Sequence, residues 1–157
     1  MIVTQNLVSV IKDQFQLKWD GVHGVSHWSR VRNNGLRLAK LNGANTKVII
    51  YFAFLHDACR ITDGSDENHG MRAASFAKSL LGKYVHLTLK EFLDLEVACI
   101  GHSDGLTSDL SVTVMSCWDA DRLDLGRVGV HPDPRYLCTK EAQSNEMLQW
   151  AYGNSQI

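Results

Sequence analysis

The chain has 157 residues, of which 45% are apolar and 21% charged, and its formal net charge is −1. These values are typical of globular chains and predict one domain over residues 1–157 with a single core. The near-neutral charge gives no basic surface for a nucleic-acid polymer or an anionic membrane, and the apolar runs are too short to span a bilayer. The N-terminal residues lack the basic start of a signal peptide, and the four scattered cysteines form no CxxC pair. We therefore expect reduced thiols and a cytoplasmic location.

Seven segments show helical periodicity, and no alternating pattern of the kind found in strand hairpins competes with them. The predicted helices cover residues 4–17, 25–41, 46–59, 65–82, 88–102, 110–125 and 139–153. Thr88 and Glu91 form a capping box, and Ser65 or Asp66 is expected to cap the fourth helix, which Gly82 would end. The third segment is apolar all round, as in a central helix; its β-branched residues also suit a buried strand, but its length favours a helix. The sequence therefore predicts an all-α bundle of about six or seven helices.

Six polar side chains lie on the apolar faces of these predicted helices, where positions three or four apart share a face. They are His27, His56, Asp57, His69, His102 and Asp121. An unpaired buried charge is unfavourable, so Asp57, which follows the apolar run 48–55, needs a partner. One histidine on an apolar face is more often a core residue bonded to a carbonyl. Four histidines and two aspartates together are the ligand types of a divalent metal site, with enough donors for two ions.

The helical pattern leaves the last ligand open. Asp119 and Asp121 are two residues apart, so they cannot easily face the same way. Asp121 has four apolar neighbours at helical spacing, whereas Asp119 has three because Ser116 interrupts its row. The pattern favours Asp121 by this small margin.

The ordered motifs resemble the HD superfamily of metal-dependent phosphohydrolases over roughly residues 20–130. HWSRV (27–31) resembles the first-helix motif, FLHDACR (54–60) the central His-Asp motif, and DADRLDLGRVG (119–129) the closing Ala-Asp-Arg-Leu motif. This resemblance implies an HD-domain-like fold and metal ligation by His27, His56, Asp57 and Asp121, with Asp119 as a neighbour.

Two further motifs resemble those of members with a two-metal centre, such as bacterial dinucleoside tetraphosphate hydrolases. HGMRAA (69–74) and GHSDG (101–105) carry His69 and His102, which would then hold a second ion. The usual His-Thr pair is His102-Ser103 here, so a one-metal enzyme in which His69 and His102 contact phosphate stays open. Iron, manganese, cobalt, nickel and zinc all suit such a site.

The resemblance implies hydrolysis of a phosphomonoester, phosphodiester or phosphoanhydride of a nucleotide or small phosphorylated metabolite, by a metal-activated water. His56 and Asp57 would be central to catalysis. Arg30 and Arg60, each about one turn beyond a ligand histidine, are expected to act in catalysis by holding phosphate oxygens. Further candidates for substrate contact are His23, Arg72 and Arg122. Each arginine has the alternative of a purely structural salt bridge.

Two other functions use the same ligands. The mixed-valent di-iron oxygenases of the HD superfamily resemble this pattern, and iron with oxygen consumption would distinguish them from an enzyme that releases phosphate. A regulatory module that binds metal without turnover is the second alternative, although an intact ligand set argues against it. The sequence predicts neither the substrate nor the oligomeric state.

Overall fold

The structure, a computed structural model, describes residues 1–157 and contains seven α-helices, two short 3-10 helices and no β-sheet. The all-α prediction is confirmed. The α-helices are α1 Gln5–Gln14, α2 Val25–Asn42, α3 Thr46–Leu55, α4 His69–Ser79, α5 Leu89–Gly101, α6 Val112–Arg122 and α7 Asn145–Ser155, with the 3-10 helices at Leu125–Val128 and Pro134–Tyr136.

Polar side chains begin most of the helices by accepting hydrogen bonds from amides that lack a partner within the helix. Thr4 accepts from the amide of Leu7, and the Asn45 side chain accepts from the amides of residues 47 and 48. The predicted capping box of Thr88 and Glu91 is present at the start of α5. These local signals explain why the helix starts could be predicted from the sequence.

The apolar helix α3 lies at the centre and contacts α2, α5 and α6. Its buried residues are Val48, Ile49, Tyr51, Phe52, Ala53 and Leu55. A smaller apolar cluster, which includes Leu38, Leu123 and Met147, packs α7 against the bundle. No helix combines the length and the apolar character needed to cross a bilayer.

The helix α3 ends at Leu55, four residues earlier than predicted. His56 is its C-cap, and the chain continues in tight turns in which the amides of Ala58 and Arg60 donate to carbonyls three residues back. Consecutive residues on a regular α-helix point about 100° apart. The turns after Leu55 instead leave His56 and Asp57 directed at the same cluster of side chains.

The starts of α4 and α7 also differ from the prediction. The helix α4 begins at His69, after an Asn68 cap that makes no side-chain hydrogen bond. The expected cap Asp66 instead accepts hydrogen bonds from the Ile61 amide and from Arg72. The helix α7 begins at Asn145, after residues 139–144, which form turns.

Candidate metal centre

Five helices bring the six predicted ligands to one end of the bundle, each at or near a helix end. His27 is the third residue of α2, His56 and His102 cap the ends of α3 and α5, and His69 begins α4. Asp57 follows His56, and Asp121 lies in the last turn of α6. The four histidines and Asp57 are buried, whereas the Asp121 side chain keeps 18% of its surface exposed.

Asp57 lies between two groups of histidines. Its Oδ2 is 3.6 Å from Nε2 of His27 and 3.5 Å from Nε2 of His56. Its Oδ1 is 3.3 Å from Nε2 of His69 and 3.5 Å from Nε2 of His102. Asp121 completes the first group, with its Oδ1 3.3 Å from Nε2 of His27. One carboxylate is therefore shared by two sets of donors, each of which is close enough to hold a metal ion.

In each of the four cluster histidines, Nδ1, the ring nitrogen that does not face the cluster, contacts a hydrogen-bond acceptor. The acceptors are Asp124 Oδ2 for His27 at 2.7 Å, the Phe52 carbonyl for His56 at 3.1 Å, the Asp66 carbonyl for His69 at 2.5 Å and the Cys99 carbonyl for His102 at 2.7 Å. Because these oxygens only accept, each Nδ1 carries the proton and donates it. In the neutral tautomer Nε2 then presents a lone pair to the cluster.

The Nε2 atoms of the four histidines face each other in two pairs. Nε2 of His27 is 3.2 Å from Nε2 of His56, and Nε2 of His69 is 2.7 Å from Nε2 of His102. Two acceptors at such distances repel each other unless a cation or a proton lies between them. Imidazole and carboxylate donors, with Nδ1 fixed by an outer hydrogen bond, are the arrangement that divalent transition metals use. The cluster therefore fits a divalent metal ion.

The electrostatics of the cluster also favour a cation. Burial alone would raise the pKa of Asp57, but the imidazoles of His56, His102 and His69 hold it well below its usual range. Burial similarly opposes the ionisation of Asp121, and its contacts with His27 and His56 keep its pKa low. Both carboxylates are thus anions at neutral pH.

The pKa values of the histidines shift in opposite directions. Burial lowers the pKa of His56 to about 3. Burial also acts against protonation of His27 and His102, but hydrogen bonds raise the pKa of both: Asp121 and Asp124 act on His27, and Asp57 acts on His102. One histidine of each facing pair therefore binds a proton more readily than an ordinary imidazole, in the position that a metal ion would occupy.

The choice between Asp119 and Asp121 is decided by the packing of α6. Asp121 joins the cluster, whereas the buried Asp119 accepts hydrogen bonds from the amide of Cys138 at 2.6 Å and from the amide and hydroxyl of Thr139 at 2.9 and 2.7 Å. Asp119 therefore anchors the segment that leads to α7.

A cleft of about 460 Å³ opens over the cluster, with Asp57, Asp121 and His102 in its wall. Three of the predicted substrate contacts, His23, Arg60 and Arg122, line this cleft. Their roles in substrate binding and catalysis stay predictions, as does metal binding by the six ligands.

Two of the predicted phosphate contacts, Arg30 and Arg72, do not line this cleft, and their roles stay predictions. Nε of Arg30 donates to Asp124 Oδ1 at 2.7 Å, behind His27, and Arg30 is not among the residues of the cleft. Arg72 donates to both carboxylate oxygens of Asp66 and to the Cys59 carbonyl. The helix pattern gave the spacing of these arginines from a histidine but not the neighbours that their long side chains reach.

The sequence interpretation missed two residues near the site. The buried Asp124 accepts from His27 and from Arg30, and Arg127 lines the cleft while its Nε donates to the Val22 carbonyl. A local pattern indicated Asp124, which lies between Leu123 and Leu125 and follows Asp121 by three residues. No local pattern indicated Arg127, because the Val22 carbonyl that it contacts is 105 residues away in the sequence.

Comparison with known proteins gives one informative likeness. No family model matches the sequence, and no curated protein matches it. Among solved structures, the chain is similar to the crystal structure of a predicted HD superfamily hydrolase from an uncultured Thermotogales bacterium. The TM-score is 0.71 and the identity 24%, over 95% of this chain and 84% of that chain. The resemblance that the ordered motifs indicated is confirmed at the level of the fold.

Proposed function

We propose that this chain is a metal-dependent phosphohydrolase of the HD superfamily. Its substrate would be a phosphomonoester, phosphodiester or phosphoanhydride of a nucleotide or small phosphorylated metabolite. The observation that carries the proposal is the two facing pairs of Nε2 atoms, one on each side of Asp57, beneath a cleft lined by arginines. A cation-binding cluster next to guanidinium groups suits a reaction at an anionic phosphate.

The proposed cofactor is one or two divalent transition-metal ions. His27, His56, Asp57 and Asp121 would hold the first, and Asp57 would share the second with His69 and His102. A bound ion would lower the pKa of a water molecule towards neutrality and polarise a phosphoryl oxygen.

Arg60 keeps Asp57 in place for this role. Its Nε donates to Asp57 Oδ1 at 2.9 Å, and its Nη1 donates to the carbonyls of Thr62 and Gly64. The Arg60 side chain is only 13% exposed, so these hydrogen bonds fix the carboxylate with little competition from water. We assign Arg60 mainly to the orientation of Asp57.

Arg122 is the better candidate for contact with the substrate. It lines the cleft, and its Nη1 donates to the Tyr136 carbonyl at 2.9 Å. A guanidinium in the wall of the cleft supplies a charge-assisted hydrogen bond to a phosphate that enters it. Arg122 would therefore bind the phosphate that reacts.

The size of the cleft bears on the size of the substrate. A cleft of about 460 Å³ suits a small phosphorylated molecule and not a nucleic-acid polymer.

None of the four cysteines is paired. Unpaired cysteines support the proposed cytoplasmic location.

The test begins with metal content. The chain is purified without chelator and analysed for metal, and an Asp57→Asn variant and an Asp133→Asn control, which changes a surface carboxylate paired with Arg135, are analysed alongside. We expect one or two ions per chain in the parent and the control, and a loss in the Asp57 variant. A folded parent that stays metal-free after addition of Mn²⁺ would overturn the proposal.

Turnover is then measured as phosphate release from aryl phosphates and a panel of nucleotides, with oxygen consumption followed in parallel. Arg122→Met should raise KM by about tenfold or more, because a charge-assisted hydrogen bond is lost. Arg135→Met, at an exposed arginine outside the cleft, is the matched control and should leave KM unchanged. Oxygen consumption without phosphate release would identify an oxygenase, and metal binding without either activity a regulatory module.

A further inference from the structure

A second polar pocket, lined by Arg30, lies between α2 and α7. Its volume is about 450 Å³, and it shares no residue with the cleft over the candidate metal centre. Residues of α2 form one wall and residues of α7 the other, among them Ser29, Arg30 and Asn34 from α2 and Trp150 and Asn154 from α7. Arg30 is the one charged side chain in its lining. Arg30 therefore supplies the positive charge of the lining, next to the buried carboxylate of Asp124.

The guanidinium of Arg30 is held in a fixed orientation. Its Nε donates to Asp124 Oδ1 at 2.7 Å, and Asp124 is buried. The two Nη groups make no hydrogen bond to the protein, although the side chain is only 19% exposed. A planar fork fixed at Nε with both Nη groups free is prepared to bind an oxyanion through two parallel hydrogen bonds.

The other lining residues add neutral donors and a flat wall. Asn34 is 2% exposed, and its Nδ2 donates to the Ala120 carbonyl, which fixes the direction of the amide. The side chains of Ser29 and Asn154 have no partner within the protein. The indole of Trp150 is covered on one face by the guanidinium of Arg37, whose carbon lies 4.6 Å from the ring centre. Such a set suits a small molecule with one anionic group and a polar or planar body.

We propose that this pocket binds the oxyanion group of a small polar molecule, a carboxylate or a phosphate, through Arg30. The binding does not depend on the proposed phosphohydrolase function, since the pocket lies apart from the cleft. Asp124 links Arg30 to His27, so the pocket and the candidate metal centre share a buried carboxylate.

The experiment follows the indole N–H signal of Trp150 by NMR in the intact protein. The chain has four tryptophans, and a Trp150→Phe variant identifies the relevant signal. Sodium phosphate and sodium acetate are titrated separately, and sodium chloride at the same ionic strength is the reference. We expect a saturable shift with phosphate, acetate or both, and the two titrations distinguish a phosphate site from a carboxylate site.

Asn154→Asp places a carboxylate in the pocket and should weaken this binding by about tenfold or more through like-charge repulsion. Asn145→Asp is the matched control, because it makes the same change nine residues earlier on α7, about 13 Å away along the helix. If Asn154→Asp does not fold, Ser29→Asp makes the same test from the exposed side of α2.

A shift that chloride reproduces, or one that is equal in Asn154→Asp and Asn145→Asp, would overturn the proposal, as would no shift at all. Arg122→Met, which alters the cleft, should leave the Trp150 titration unchanged. A chain without metal or phosphatase activity would still bind the oxyanion, so failure of the proposed function and failure of this site give different results.

Discussion

The clearest prediction concerns Asp124, which contacts the candidate metal ligands without being one. Asp124 is buried and accepts two hydrogen bonds of 2.7 Å, one from Nδ1 of His27 and one from Nε of Arg30. In an Asp124→Asn variant the amide oxygen must accept from Arg30, because Nε of an arginine can only donate. The amide nitrogen then faces His27.

This orientation forces His27 into the other tautomer. Nδ1 must accept from the new amide, so the proton moves to Nε2, the atom that faces Asp57 and Asp121. A protonated Nε2 cannot bind a metal ion. Loss of such an outer hydrogen bond typically lowers metal affinity by about 10- to 100-fold, or about 1.4–2.7 kcal/mol of binding free energy.

The assay is a competition titration of Mn²⁺ or Zn²⁺ with a chelator of known affinity, and histidine NMR reports the tautomer of His27. Asp133→Asn is the control, because it makes the same change at a carboxylate that pairs with Arg135 on the surface. Thermal unfolding verifies that the Asp124 variant is folded. A folded variant with parental metal affinity and an altered tautomer would show that His27 does not bind the metal.

Four other results are expected. Saturating metal should stabilise a chelator-treated sample, by about 2.7 kcal/mol of unfolding free energy at a concentration of 100 Kd, and an unchanged Tm would contradict metal binding. Acidification should release the metal, because protons compete with it for Nε2 of the histidines. The raised pKa of His27 and His102 makes this competition begin above pH about 6.5, the pKa of an ordinary histidine. Metal occupancy that rises on acidification would refute this prediction. Asp119→Ala should lower the free energy of unfolding in urea by roughly 3 kcal/mol or more, since it leaves buried amides without partners, while metal content per folded chain stays parental. Gly70→Ala should cost about 1–3 kcal/mol and reduce metal content measured by elemental analysis, because the new Cβ would press on the Cys99 carbonyl and move α4 away from α5; full metal content would show that this spacing does not matter.

The inward direction of the six cluster residues was predictable because it depends on local pattern. A histidine on an apolar face of an amphipathic helix points inward whatever the helix packs against. His27, His69 and His102 were identified in this way, and the run before Asp57 marked its burial. The capping box of Thr88 and Glu91 was equally local, since both partners lie within one turn.

The outer hydrogen bonds and the roles of the arginines were decided by the tertiary structure. His27 and Asp124 are 97 residues apart in the sequence and meet only because α2 packs against α6. The same packing holds Arg30 away from the cleft, and the end of α6 brings Arg122 into it. A long side chain reaches several neighbours, and the backbone pattern does not specify which one.

The sequence by itself determined the number and approximate positions of the helices and the residues that point into the apolar core, since these follow from periodicity along one segment of chain. Only the tertiary structure showed what Asp119 and Asp121 contact, because the periodicity of α6 favoured Asp121 by one apolar neighbour and does not specify the partners. Asp119 meets the amides of Cys138 and Thr139, whereas Asp121 meets His27. The chemistry of a buried carboxylate depends on the partner that another part of the chain delivers, and that partner is not encoded in the periodicity of its own helix.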